Sequence, residues 1–150
     1  VKEIISLTKK EKCEIIFPED VHVSKNLNGS YKEKELSNIL SDEMILDIGP
    51  KTINRIINII DNSKSILWNG PAGYFENPNF ANGTKKILEI IADKKGRVKN
   101  KTYAVAGGGE TVAVINKFNK LDTFNFVSTA GGAFLEYLEG KEIPGIRALN

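Results

Sequence analysis

Three stretches of the chain hold the residues best suited to chemistry. They are Trp68-Asn69-Gly70-Pro71-Ala72-Gly73-Tyr74-Phe75-Glu76, Ala106-Gly107-Gly108-Gly109-Glu110-Thr111 and Ser128-Thr129-Ala130-Gly131-Gly132-Ala133. The last two place consecutive glycines between an apolar run and the start of a helical pattern. Glycine lets the backbone turn sharply and lets a ligand approach where a Cβ would block it. The free N–H groups of the following helix turn then face that ligand, with the positive end of the helix dipole behind them. One such glycine run is most simply a tight strand-to-helix turn. Two at corresponding positions favour a polyphosphate. The spacing matches neither the P-loop pattern G-x-x-x-x-G-K-S/T nor the dinucleotide fingerprint G-x-G-x-x-G. The residues by themselves therefore define an anion or nucleotide site of unspecified type.

Glu110 carries two readings of equal weight. An acid in the first turn of a helix stabilises it by about 0.3–1 kcal/mol without any further role. A carboxylate beside a phosphate-binding loop would instead repel its ligand unless a divalent cation lay between them, and Mg²⁺ is commonly held by one or two carboxylates plus phosphates. The loops also lack cations. There is no Lys or Arg from 68 to 84, from 102 to 116 or from 121 to 140, although phosphoryl transfer is promoted largely by positioning and by positive charge. If this is a kinase site, its basic residues come from elsewhere. The other candidates are weaker. His22, the one histidine, reads as a surface or loop residue; Trp68 reads as core; Cys13, the one cysteine, reads as a strand-packing thiol and excludes an internal disulfide.

The elements that would position these loops alternate. Short apolar runs at 14–17, 44–48, 65–68, 102–106 and 124–127 read as strands buried on both faces of a parallel sheet. Between them, Ile53, Ile56, Ile57 and Ile60 form one apolar stripe over 51–61. Ile87, Leu88 and Ile91 repeat that pattern after Thr84. Val114, Ile115 and Phe118 follow Glu110, and Phe134, Leu135 and Leu138 follow Gly132. This predicts an α/β fold, a Rossmann-like parallel sheet with flanking helices. Residues 25–41 break the rhythm and read as an excursion from the sheet. The first residues, with Ile4, Ile5 and Leu7, read as helix. Since the chain starts at Val1 inside such a pattern, the sequence reads as a fragment.

Composition sets the outer limits. The 150 residues suit one domain or a piece of a larger one; 41% are hydrophobic and 27% charged, and 21 Lys and Arg against 19 Asp and Glu leave a formal charge of +2. The densest basic stretch, Lys94, Lys95, Arg97, Lys99 and Lys101, holds no aromatic residue and reads as a solvated helix end and turn. No nucleic-acid partner is expected. No apolar stretch is long enough to span a bilayer, so no membrane association and a cytoplasmic location are expected.

Read in order, the loops resemble phosphoglycerate kinase. The carrying segments are LDIGPKT (46–52), LWNGPAGYFE (67–76), FANGTK (80–85), AVAGGGETVA (104–113) and FVSTAGGAFLEYLEGKEIPGI (126–146), with IIFPEDV (15–21) upstream. The matches are collinear and span nearly the whole chain. The resemblance implies a two-domain, hinge-bending enzyme of glycolysis that exchanges a phosphoryl group between 1,3-bisphosphoglycerate and MgADP, giving 3-phosphoglycerate and MgATP. The chain looks like roughly the last third of it. On that reading residues 1–150 are part of the carboxy-terminal nucleotide-binding domain, with the tail at about 140–150. The amino-terminal domain, which binds the phosphoglycerate, is absent.

Carried over by position, the resemblance places Asn69, Gly70 and Pro71 beside the nucleotide phosphates and Glu76 at the ribose hydroxyls. It places Gly107, Gly108, Gly109, Glu110 and Thr111 around ADP or ATP, and it turns the backbone amides of Gly131 and Gly132 toward the transferred phosphoryl group. Glu110 falls where the family usually has an Asp serving the Mg²⁺ of the nucleotide, so coordination through a longer side chain or through water is implied. Full-length family members are usually monomeric. The missing arginines, histidine and glycine-lysine loop imply that this chain alone is inactive, with weak MgADP affinity, exposed sheet edges and poor solubility. The competing expectations are a non-catalytic truncated remnant and, more remotely, a dehydrogenase domain.

Overall fold

A computed structural model describes residues 1–96 and 102–149. The chain enters as helix α1 (Lys2–Lys10), none of whose residues is buried. It then builds two three-stranded sheets. The first is antiparallel, with β1 (Asp20–Ser24) between β2 (Lys32–Glu35) and β3 (Met44–Ile48). The second is parallel, in the order β4 (Ser65–Asn69), β5 (Tyr103–Gly107) and β6 (Phe126–Ser128). Helix α2 (Pro50–Asn62) joins the two sheets. Helices α3 (Asn82–Gly96) and α4 (Gly109–Lys117) are the crossovers of the parallel sheet, and α5 (Gly132–Leu138) and α6 (Pro144–Arg147) follow it.

The predicted α/β class is observed, with its parallel sheet and flanking helices. The core explains why these residues form it. Trp68, Ala104 and Ala106 line the inner face of the parallel sheet, and Ile87, Leu88 and Ile91 of α3 and Val114 and Ile115 of α4 pack into one cluster with them. Ile53 and Ile60 of α2 join the same cluster, so the stripe read from the sequence faces inward. Trp68 is core as expected, stacked on Phe124 with ring centroids 5.9 Å apart.

Four expectations are corrected. Residues 14–17 form no strand; Phe17 is 63% exposed. Pro18 follows directly, and a proline offers no N–H to a ladder, so β1 starts beyond it at Asp20. Cys13, placed in that supposed strand, is an exposed free thiol. The run at 44–48 is a strand, but it pairs antiparallel with β1 rather than joining the parallel sheet. His22 is buried, not a surface residue: the excursion at 25–41 folds back as β2 and lays Tyr31 on the imidazole, ring centroids 4.1 Å apart. α3 continues to Gly96; Arg97, Lys99 and Lys101 of the basic stretch lie outside the described residues. Among the described residues no helix is long and apolar enough to cross a membrane.

Candidate nucleotide site

The carboxyl ends of the three parallel strands are level. Asn69, Gly107 and Ser128 occupy one register row, so the three loops singled out by the sequence leave the sheet side by side. That is the edge at which open parallel sheets bind ligands. Gly70 donates its N–H to the Thr111 hydroxyl at 2.6 Å. Thr111 is fully buried in the first turn of α4, so this one bond fastens the first loop to the helix start behind the second. The Asn69 amide lies against Gly108, where a Cβ would stand 3.4 Å from its Nδ2 and Oδ1. Gly108 precedes α4 with φ +93° and Gly131 precedes α5 with φ +59°. Both values are in the left-handed region that glycine enters without steric cost. Gly107 needs its bare backbone for another reason: the ring of Phe134 fills the space a Cβ would take, which seats α5 on the sheet.

The amides in the first turn of α4 have no intrahelical acceptor, and Glu110 stands among them. Its side chain is exposed and makes no hydrogen bond or ion pair with another described residue. It lines a cleft of about 440 Å³ together with Pro71, Gly73 and Tyr74 on one side and Leu36, Ile45 and Asp47 on the other. The cleft thus lies between the two sheets, with Glu110 on one wall and Asp47 on the other. No Lys or Arg lines it. Glu76 is exposed, outside the residues that line the cleft. Its neighbour Phe75 is drawn toward the far end of α4, its carbonyl accepting from Lys117 Nζ at 2.8 Å. Gly131 and Gly132 follow the β6 end, at the third loop of the same edge.

Among the described residues no group of three or more His, Cys, Asp or Glu side chains could hold a metal by itself. Glu110 fits a different arrangement. A single unpaired carboxylate at a helix start suits an Mg²⁺ whose remaining ligands are phosphate oxygens and water.

Two buried carboxylates escaped the sequence reading. Asp20 Oδ1 accepts from Thr52 N at 2.8 Å and from the Thr52 hydroxyl at 2.7 Å, and Oδ2 accepts from Lys51 N at 2.9 Å. It therefore satisfies the first turn of α2. Burial alone would raise its pKa, but the hydrogen bonds from Thr52 and Lys51 outweigh this and hold it below the ordinary carboxylate value. Asp47 does the same for α3, with Oδ2 accepting from Gly83 N at 2.8 Å and Oδ1 from Ile48 N at 2.9 Å. Here burial wins, and the pKa is raised despite those bonds. Gly49 stands where a Cβ would strike Asp20, and Gly73 and Gly83 where one would strike Asp47. An acid inside the apolar run 44–48 was the available signal, since a buried carboxylate requires partners.

The chain is thus a parallel α/β protein with glycine-rich loops side by side at the carboxyl edge of its sheet. The comparisons narrow that class. A family model described as phosphoglycerate kinase matches residues 1–141. The phosphoglycerate kinase of Francisella philomiragia is 44% identical over 150 residues, covering 99% of this chain and 37% of that protein. The Buchnera aphidicola phosphoglycerate kinase is 47% identical over 139 residues, covering 90% of this chain and 34% of that protein. The solved phosphoglycerate kinase of Coxiella burnetii superposes with a TM-score of 0.87 at 35% identity, over 99% of this chain and 38% of that one. This chain belongs to the phosphoglycerate kinase family, and it spans about a third of the length of the relatives it matches.

Proposed function

We propose that this chain supplies part of the ADP/ATP site of a phosphoglycerate kinase, and that it is the carboxy-terminal part. The observation that carries the reading is the level row of strand ends, where Asn69 lies against Gly108, Gly70 is bonded to Thr111, and Glu110 faces a cleft with no partner among the described residues. In the reaction, the acyl phosphate of 1,3-bisphosphoglycerate loses its P–O bond to the carboxyl group, and a new P–O bond forms to a terminal oxygen of ADP. The products are 3-phosphoglycerate and ATP. Mg²⁺, when bound, would supply positive charge that neutralises the phosphates during that transfer.

The residues of this chain position the nucleotide. Asn69, Gly70 and Pro71 form one wall beside the phosphates. Gly107, Gly108 and Gly109 allow close approach to the amides of Glu110 and Thr111. The carboxylate of Glu110 would hold the Mg²⁺ of the nucleotide, directly or through water. The amides of Gly131 and Gly132 face the group in flight, and Glu76 reaches the ribose once the nucleotide is seated. The phosphoglycerate and its cationic clamp require the amino-terminal domain. The chain alone is then catalytically silent, because the developing negative charge meets no Lys or Arg at these loops.

A coupled assay with 3-phosphoglycerate and MgATP tests this. The 150-residue chain should give no turnover, and the same chain joined behind the remaining portion of the Francisella philomiragia enzyme should give it. Turnover by the chain alone, or none from a well-folded joined protein, would contradict the reading. In the remnant alternative, the joined protein folds but binds no MgADP.

A further inference from the structure

A buried threonine stands third in each of α2, α3 and α4. These are Thr52, Thr84 and Thr111, none more than 2% exposed. Each hydroxyl accepts a backbone N–H from outside its own helix. Thr52 takes those of Glu19 and Asp20 at 2.9 and 3.2 Å, at the entry to β1. Thr111 takes that of Gly70 at 2.6 Å. Thr84 takes those of Ala72 and Gly73 at 3.0 and 3.3 Å. A hydroxyl oxygen has two lone pairs, so it can accept both.

Thr84 and Thr111 thus grip one loop from two helices. Between their donors lies Pro71, which has no N–H to offer. Tyr74 and Phe75 donate to the carbonyls of Leu46 and Gly73, each at 2.8 Å. Every N–H from Gly70 to Phe75 is therefore already paired within the chain. The loop can act on a ligand only through its shape and the Asn69 side chain, and both depend on where the hydroxyls hold the backbone. Thr84 is the anchor remote from the strand ends. It stands on α3, where Asp47 Oδ2 accepts from Gly83 N at 2.8 Å. Strand β3 consequently fixes the loop twice, directly through the Leu46 carbonyl and indirectly through Asp47, the start of α3 and Thr84.

We propose that Thr84 is a positioning residue of the nucleotide site. Its hydroxyl holds Ala72 and Gly73 so that Asn69, Gly70 and Pro71 stand against Gly108 before any nucleotide arrives. A loop ordered in advance spares the ligand the cost of ordering it. Thr84 is itself 0% exposed, so it reaches the nucleotide only through the loop. Its effect therefore falls on nucleotide binding rather than on the transfer step. The proposal deepens the ADP/ATP-site reading and rests on it.

The test uses the chain joined behind the remaining portion of the Francisella philomiragia enzyme, in the coupled assay with 3-phosphoglycerate and MgATP. Thr84→Val keeps the volume and removes the acceptor. It should raise KM for MgATP about fivefold, the scale of one lost hydrogen bond. The kcat and the KM for 3-phosphoglycerate should stay within about twofold of the parent, as expected when only binding is lost. Thr84→Ser puts the oxygen back and should return KM for MgATP to the parent value. Thr52→Val breaks the matching contact at β1; it should lower the urea midpoint and leave both KM values unmoved. Hydrogen exchange in the unliganded parent, which needs no variant to fold, should find Ala72 and Gly73 protected. An unchanged KM for MgATP in Thr84→Val, no recovery in Thr84→Ser, an equal rise in Thr52→Val, or unprotected amides at Ala72 and Gly73 would each overturn the proposal. A joined parent that folds but shows no turnover contradicts the ADP/ATP-site reading itself, and the proposal falls with it.

Discussion

Helices α2, α3 and α4 each start beside a carboxylate, and these carboxylates are used in opposite ways. At α2 and α3 the acids are Asp20 and Asp47, each 1% exposed and filled with hydrogen bonds from the helix start. At α4 the acid is Glu110, exposed and bonded to no described residue. The antiparallel half of the molecule therefore consumes its two buried acids in fastening helices, while the parallel half leaves one at the mouth of a cleft. What separates a structural carboxylate from an available one is burial and the count of satisfied lone pairs, not residue type or position at a helix start.

The largest effect expected from this difference is on stability. Asp20→Ala leaves the amides of Lys51 and Thr52 without their acceptor and the Thr52 hydroxyl with only the Asp20 carbonyl, which should cost about 2–4 kcal/mol in urea unfolding. Glu110→Ala removes an exposed side chain and should change stability by no more than about 0.5 kcal/mol. Comparable losses for the two would erase the distinction. Next is Gly83→Ala, whose methyl would strike the Asp47 carboxylate and the Ile48 side chain. Differential scanning calorimetry should show a destabilisation of about 1–3 kcal/mol. Thr111→Val keeps the volume but removes the acceptor for Gly70 N–H. About 1 kcal/mol should be lost, with faster hydrogen exchange at Gly70 than in the parent.

Acidity separates the two buried acids more finely. The folded-state pKa of Asp20 is lowered, so its contribution is present above the unfolded value near 3.8 and is lost as pH falls through the folded one. That of Asp47 is raised, so its ionisation removes stability as pH climbs from about 3.8 through the folded value. Asp20→Asn should flatten the acid limb of a stability-versus-pH curve, whereas Asp47→Asn should make stability rise more steeply above that limb. Urea midpoints at closely spaced pH values check both signs.

The sequence disclosed the parallel half more fully than the antiparallel half, and the reason is physical. β4, β5 and β6 are short apolar runs ending in Asn-Gly, Gly-Gly and Ser-Thr, and the helices after them carry regular stripes, so periodicity and turn chemistry agree. The loops at Asn69, Gly108 and Gly131 were legible for the same reason. β1 was not, because Asp20, His22 and Ser24 are buried there through partners distant in sequence: Thr52, Tyr31 and the fold of the hairpin. No local pattern predicts a polar strand that becomes core once a neighbouring segment folds over it. The cleft wall at Leu36 and Ile45 was invisible for that reason too, since it depends on how the two sheets meet.

The most direct test of the account is a titration of the 15N-labelled chain with MgADP, followed by amide chemical shifts. The expected result is a saturable set of shifts confined to Asn69, Gly70, Glu76, Gly107, Gly108, Gly109, Glu110 and Thr111, weakened when Mg²⁺ is withheld or when Glu110 is changed to Gln, with the amides of Lys51, Thr52 and Gly83 unmoved. Shifts centred instead on the starts of α2 or α3, or a response indifferent to both Mg²⁺ and Glu110→Gln, would contradict the assignment of Glu110 as the carboxylate this fold leaves free for its ligand.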